Sequence, residues 1–246
     1  MAKNIRIMQE REEGVAKLMK LISDKSRRFE CPKLVMIGGY ALRAFTTLAR
    51  YTRDCDFILK KENGWNLDKI KRLLSKYLTI VNLEKHKDYG FMRCIKFVPV
   101  GGKSVKVSLD FMEGKVVGRK EKEQVFIDES FINNSRKTKI EIAGEEFIIY
   151  IPAYKDYFIL KIVSGRRSDV RDIATLVWKK GVSDQIKNRA REILPFPEIF
   201  DENLKQAITD ISDKRFIDSW RGTFITTDFN ESTKQKVLEK LRDLLS

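Results

Sequence analysis

Histidine is nearly absent from this 246-residue chain: His86 stands alone. One imidazole excludes a histidine-rich metal centre and disfavours Ser/His or Cys/His nucleophilic pairs, leaving catalysis to carboxylates, lysines and arginines. Cysteine is scarce too. Cys31, Cys55 and Cys94 are odd in number, far apart and without a C-x-x-C, which speaks against a disulfide framework or zinc ribbon and fits free thiols in a reducing cytoplasm. No apolar run approaches the ~20 residues that span a bilayer, and residues 1–12 are too polar for a signal-peptide core, so no membrane association is expected. Internal repeats and low-complexity tracts are missing as well.

Positive charge is what the chain has in excess. Lys and Arg number 49 against 35 Asp and Glu, a formal net charge of +14, with 42% hydrophobic residues to build a core. Such a balance suggests a polyanionic partner, nucleic acid, nucleotide phosphate or an anionic membrane surface, although a lysine-rich solvated surface has the same composition. The basic residues are dispersed, with local clusters at residues 25–28, 119–122 and 166–167.

Periodicity predicts an α+β fold: an N-terminal unit with a mixed sheet flanked by helices (residues 1–151), then a helical unit (152–246). Helices are expected over residues 4–24, 40–49 and 66–77, and strands over 33–37, 55–60, 78–84, 91–100 and 104–112. A turn is expected at Gly101-Gly102. Residues 114–150 are strand-prone and irregular, with strands at 139–142 and 146–151 around Gly144. Beyond Pro152 the pattern is helical, at 153–164, 169–179, 183–193, 201–211 and 232–245.

Two short motifs carry chemistry. A strand ending in Gly38-Gly39 before a helix lets backbone approach a ligand closely, and the helix start offers N–H groups to phosphate oxygens. Further on, Asp54 and Asp56 are two residues apart on a strand, so both carboxylates leave the same face. Such a pair repels unless a cation lies between, and oxygen-only ligation suits Mg²⁺ or Mn²⁺. Alone, a Gly-Gly pair marks a tight turn and D-x-D a solvated strand face. A third carboxylate strengthens the case: alternation over residues 105–112 puts Asp110 on the polar side of a strand, where pairing beside residues 55–60 would bring it to the other two. Three carboxylates can hold divalent ions for phosphoryl or nucleotidyl transfer.

Gly38-Gly39, then Arg50-x-Thr52-x-Asp54-x-Asp56-Phe57, then Asp110, resembles the DNA polymerase β-like nucleotidyltransferase superfamily. The R-x-[ST]-x-D-x-D form is most similar to its AbiEii branch, known for toxins of toxin–antitoxin systems. Lys161-x₄-Arg166-Arg167-x-Asp169-x-x-Asp172 is similar to that branch's helical motif. The resemblance covers about residues 33–176. The interval from Gly39 to Asp54 is long for the superfamily at large, and the arginine doublet leaves open which arginine holds the family position.

The resemblance implies that Asp54, Asp56 and Asp110 hold Mg²⁺ or Mn²⁺ and that Gly38 and Gly39 line the triphosphate of an NTP. Lys161 would contact phosphate, and Asp169 or Asp172 would orient Lys161 or the acceptor. Arg50, Thr52 and Arg166 would lie on the nucleotide side. The implied activity moves an NMP from an NTP to an acceptor hydroxyl, with RNA (the tRNA 3′ end) favoured by charge, and a cognate antitoxin as a further partner. Protein AMPylation, a non-catalytic nucleic-acid-binding or antitoxin module, and a metal-dependent nuclease are the alternatives. The nuclease ranks last, because it leaves the Gly-Gly loop unexplained.

Overall fold

The computed structural model describes residues 2–48, 50–100 and 102–246. Ala49, the end of one expected helix, and Gly101, half of an expected turn, lie outside them. Two compact units emerge, neither continuous in the chain. The first comprises Met1–Ala44, Tyr51–Val116 and Ile127–Pro152; the second comprises Phe45–Arg50, Val117–Phe126 and Ala153–Ser246.

The first unit is built on strands β1 (Leu34–Ile37), β2 (Asp54–Leu59), β3 (Thr79–Lys85), β4 (Gly90–Val100) and β5 (Lys103–Glu113). After the short strands β6 (Lys115–Val117) and β7 (Gln124–Phe126), the latter in the second unit, come β8 (Arg136–Ile142) and β9 (Glu145–Ile151). Seven of them form one mixed sheet, ordered β3-β4-β5-β2-β1-β9-β8. Helices α1 (Ala2–Lys25), α2 (Gly38–Ala41), α3 (Asn66–Leu74) and α4 (Glu129–Asn133) belong to this unit. One face of β5 follows the expected alternation: Val107, Leu109 and Phe111 are fully buried, and Phe111 stacks on Phe57 of β2. That face meets α1, where a Cβ on Gly14 would come within 3.2 Å of Val98 and Val107 side chains, so the missing side chain allows close helix–sheet packing. A carboxylate fixes α3: Glu113, at the end of β5 and fully buried, accepts from the amides of Asn66 (3.0 Å) and Leu67 (2.9 Å).

The expected helix over residues 40–49 is cut short. Helical structure stops after α2 and a single 3₁₀ turn, Leu42–Ala44. Tyr40, Ala41 and Leu42 are buried in the first unit, whereas the Phe45 ring stacks on Tyr157 of the second at 4.9 Å. One helical face cannot serve both destinations. Thr46 also competes with the helix, its Oγ1 accepting from the Leu48 amide at 3.0 Å.

The second unit contains α5 (Tyr154–Ser164), α6 (Arg167–Lys180), α7 (Gln185–Ile193), α8 (Glu198–Ser212), α9 (Phe216–Phe224) and α10 (Glu231–Leu245). Helix α9 goes beyond the expected elements. It buries Phe216, Trp220 and Phe224 along one face, and the Trp220 indole donates to Thr175 Oγ1 of α6 at 2.9 Å. Gly165, with φ +55°, ends α5 in a left-handed cap before α6 begins. Among the described residues no helix is long and apolar enough to cross a membrane.

Candidate active site

In the first unit, backbone pairing brings the three aspartates together. Strands β2 and β5 run parallel with Asp54 opposite Ser108 and Asp56 opposite Asp110. Side chains at paired positions share a face, so the three carboxylates form a patch two strands wide. Strand β4 runs antiparallel to β5 and sets Arg93 opposite Asp110. One row across three strands therefore reads Asp56, Asp110, Arg93.

Gly38 is where backbone geometry matters most. Its φ of +71° is one that L side chains rarely adopt, and a Cβ there would lie 2.0 Å from Asp56 Oδ2. Glycine lets the end of β1 lie directly against the Asp56 carboxylate. Gly39 follows, buried in the first turn of α2. The loop leading into β2 is tied locally: Thr52 Oγ1 donates to the Asp54 carbonyl at 3.4 Å, and the buried Tyr40 hydroxyl donates to the Thr52 carbonyl at 3.5 Å.

Each flanking carboxylate has a protein partner. The Ser108 hydroxyl donates to Asp54 Oδ1. Arg93 forks Asp110, Nε to Oδ1 at 2.7 Å and Nη2 to Oδ2. The negative field of the patch is felt nearby. Hydrogen bonding to Asp110 holds the Arg93 guanidinium above its ordinary pKa, with the charges of Asp110, Asp54 and Asp56 adding to it. Burial pushes the Cys55 thiol well up, reinforced by the same three carboxylates, and burial together with Asp110 raises Cys94 to about 12. Neither cysteine is a thiolate nucleophile. Among the described residues no three His, Cys, Asp or Glu side chains group closely enough to hold a metal ion. The donor chemistry nevertheless fits a hard divalent cation: Asp54 and Asp56 offer oxygen alone from one strand face, while Asp110 is engaged by Arg93.

The remaining candidates assemble separately, within the second unit. Lys161 on α5 donates to Asp169 Oδ1 (2.7 Å) and Asp172 Oδ2 (2.8 Å) on α6. Arg50 forks Asp172 from the other side, at 2.7 and 2.8 Å, and Ser164 Oγ donates to Asp169 at 2.7 Å. The side chains of Lys161, Asp169 and Asp172 are at most 7% exposed. Burial pulls Lys161 down, but the two carboxylates carry it above its usual range. Burial likewise opposes ionisation of Asp169, and Lys161 more than offsets it, holding the carboxyl below its usual range. Lys161 is thus engaged with two carboxylates rather than presented as an open point charge, and Arg50 is turned toward α6. Arg166 and Arg167 are exposed at the start of α6. Arg166 also lines a cavity of about 190 Å³ with Arg119, Lys120, Glu123 and Asn203.

Arg93 is a site residue absent from the sequence-based candidates. Its signal was present: it is the charged member of the otherwise apolar phase Phe91, Ile95, Phe97.

No curated protein matches this chain. Among solved structures, JHP933 from Helicobacter pylori aligns over 96% of this chain and 92% of its own, at TM-score 0.50 and 14% identity, a likeness of fold. A second H. pylori protein aligns over 92% of each chain, at TM-score 0.46 and 14% identity. The model of one family matches residues 13–202, a span holding all three aspartates and the Lys161 network, and the chain belongs to that family, described as nucleotidyltransferase of unknown function (DUF6036).

Proposed function

We propose that the protein moves a nucleoside monophosphate from an NTP to an acceptor hydroxyl. The observation that carries this reading is the in-register set Asp54, Asp56 and Asp110 lying against a glycine whose missing Cβ brings β1 onto Asp56. In the reaction the acceptor hydroxyl gives up its proton to water, its oxygen bonds to the α-phosphorus, the bond to the bridging oxygen of the β-phosphate breaks, and pyrophosphate leaves with those electrons. Asp54 and Asp56 would hold Mg²⁺ or Mn²⁺, with Asp110 completing the set, and the ion would neutralise charge developing on the phosphates. Gly38 and Gly39 give the triphosphate access to backbone, and Ser108 and Thr52 orient Asp54 and its loop. Arg50, Lys161, Asp169 and Asp172 act as positioning residues of the helical unit.

For the acceptor we propose RNA, with the tRNA 3′ end as the first substrate to try. The net charge of +14 and the exposed pair Arg166 and Arg167 support a polyanion. A toxin role of the AbiEii kind, with a cognate antitoxin, extends the same reading. The test is incubation with Mg²⁺, each labelled NTP in turn and total tRNA. Label transfer with pyrophosphate release, lost in Asp54→Asn and Asp56→Asn by about 10²- to 10⁴-fold, is the expected result. Shortened RNA would replace the reading with a nuclease, and neither product with a binding module.

A further inference from the structure

The best-defined partner of Asp110 is not a metal ligand but a cation of the protein itself. The Arg93 fork takes both oxygens of Asp110, and it does so at the end of the row that begins with Asp56. The two partners are unequally free to move. The Asp110 side chain is 8% exposed, set between β2 and β4, whereas that of Arg93 is 41% exposed with its guanidinium 5.5 Å from the Phe91 ring centre. Arg93 can leave without opening a core; Asp110 cannot turn away. A guanidinium and a divalent ion cannot share the same two carboxylate oxygens, and their like charges repel. What would draw Arg93 away is an anion of matching fork geometry, and a phosphate matches it as well as a carboxylate does.

We propose that Arg93 and a divalent cation are alternative partners of Asp110, and that the nucleotide triphosphate, by accepting the guanidinium, releases the third carboxylate to the metal. This rests on the nucleotidyl-transfer reading above. It makes Arg93 a guard against metal binding without nucleotide, and it couples the two ligands. By linkage, each must then raise affinity for the other.

Mn²⁺ binding, followed by calorimetry and by the electron paramagnetic resonance of the free ion, tests this with and without a non-hydrolysable NTP analogue. Without nucleotide, Arg93→Gln should bind Mn²⁺ about tenfold tighter than the parent, the size expected from losing one charge-assisted contact. Arg93→Lys, which keeps the charge but not the fork, should fall between them. The gain should vanish when Asp110→Asn is added, and the analogue should raise Mn²⁺ affinity less in Arg93→Gln than in the parent. Thermal melts identify any variant that fails to fold, in which case Arg93→Lys carries the comparison. If the parent binds Mn²⁺ in an Asp54-dependent way and neither Arg93 variant binds it tighter, the guard role is overturned while the metal reading stands. If no form binds Mn²⁺ even with the analogue, both fall.

Discussion

Asp172 offers the sharpest test of how the second unit is held together. Its side chain is fully buried and accepts three charge-assisted hydrogen bonds, two from Arg50 and one from Lys161. In Asp172→Ala, Lys161 keeps its bond to Asp169, but Arg50, with a side chain 10% exposed, loses its fork in a place water hardly reaches. Removing one partner of a buried pair costs about 3–5 kcal/mol, because the other charge stays desolvated. Denaturant unfolding followed by tryptophan fluorescence suits the measurement, since Trp178 lies on α6 itself and Trp220 bonds to Thr175 of the same helix. Removing both partners should cost less than removing one: Arg50→Met with Asp172→Leu fills similar volume with no orphaned charge and should recover most of the loss. A single variant within about 1 kcal/mol of the parent would refute the reasoning. So would a double variant no more stable than Asp172→Ala.

Asp169 predicts the acid limb of stability. Its carboxyl is depressed in the fold, so its contribution is complete above the unfolded value of about 3.9 and is lost as pH falls through the folded one. Asp169→Asn should therefore be destabilised near neutrality, and the gap to the parent should narrow in melts as pH falls below about 5 and through the folded value. Lys161 is raised, so its contribution holds throughout neutral pH and fades only above the usual lysine range. Gly38→Ala should cost about 1–2 kcal/mol of stability from the positive φ alone. It should also lower transfer activity, because the new methyl must push Asp56 aside; full activity would show that the close approach is dispensable. Glu113→Ala should leave two amides of α3 without acceptors and cost about 1–3 kcal/mol in a chemical melt.

Much of the first unit is legible in the sequence because β5 obeys period two so cleanly. Val107, Leu109 and Phe111 point to one core, and pairing Asp110 beside Asp56 needs only that β5 lie next to β2. The opposite phase is less solvated than alternation suggests, since Ser108 and Asp110 are buried along with the apolar set while Ser104 and Lys106 are open. The early end of the helix expected at residues 40–49 shows where periodicity misleads. Ala41, Leu42 and Phe45 have helical spacing, yet Phe45 leaves to stack on Tyr157, and no local pattern records that a chain changes core. Helix α9 had a readable signal in Phe216, Trp220 and Phe224, spaced by four. The pairing of Arg50 with Asp172 had none, since the two lie 122 residues apart.

Charge balance distinguishes the two carboxylate clusters more firmly than motif does. Asp169 and Asp172 face Lys161 and Arg50, two anions against two cations, all deeply buried with short contacts. Such a set is closed, and a bound ion or phosphate would have to break it. Asp54, Asp56 and Asp110 share one face of the sheet, with Arg93 opposite Asp110 in the row. Carboxylates gathered on one sheet face repel one another. The Lys161 motif therefore reads as the brace that joins α5 to α6. The aspartates of β2 and β5 are the group in which the proposed divalent cation would relieve carboxylate repulsion.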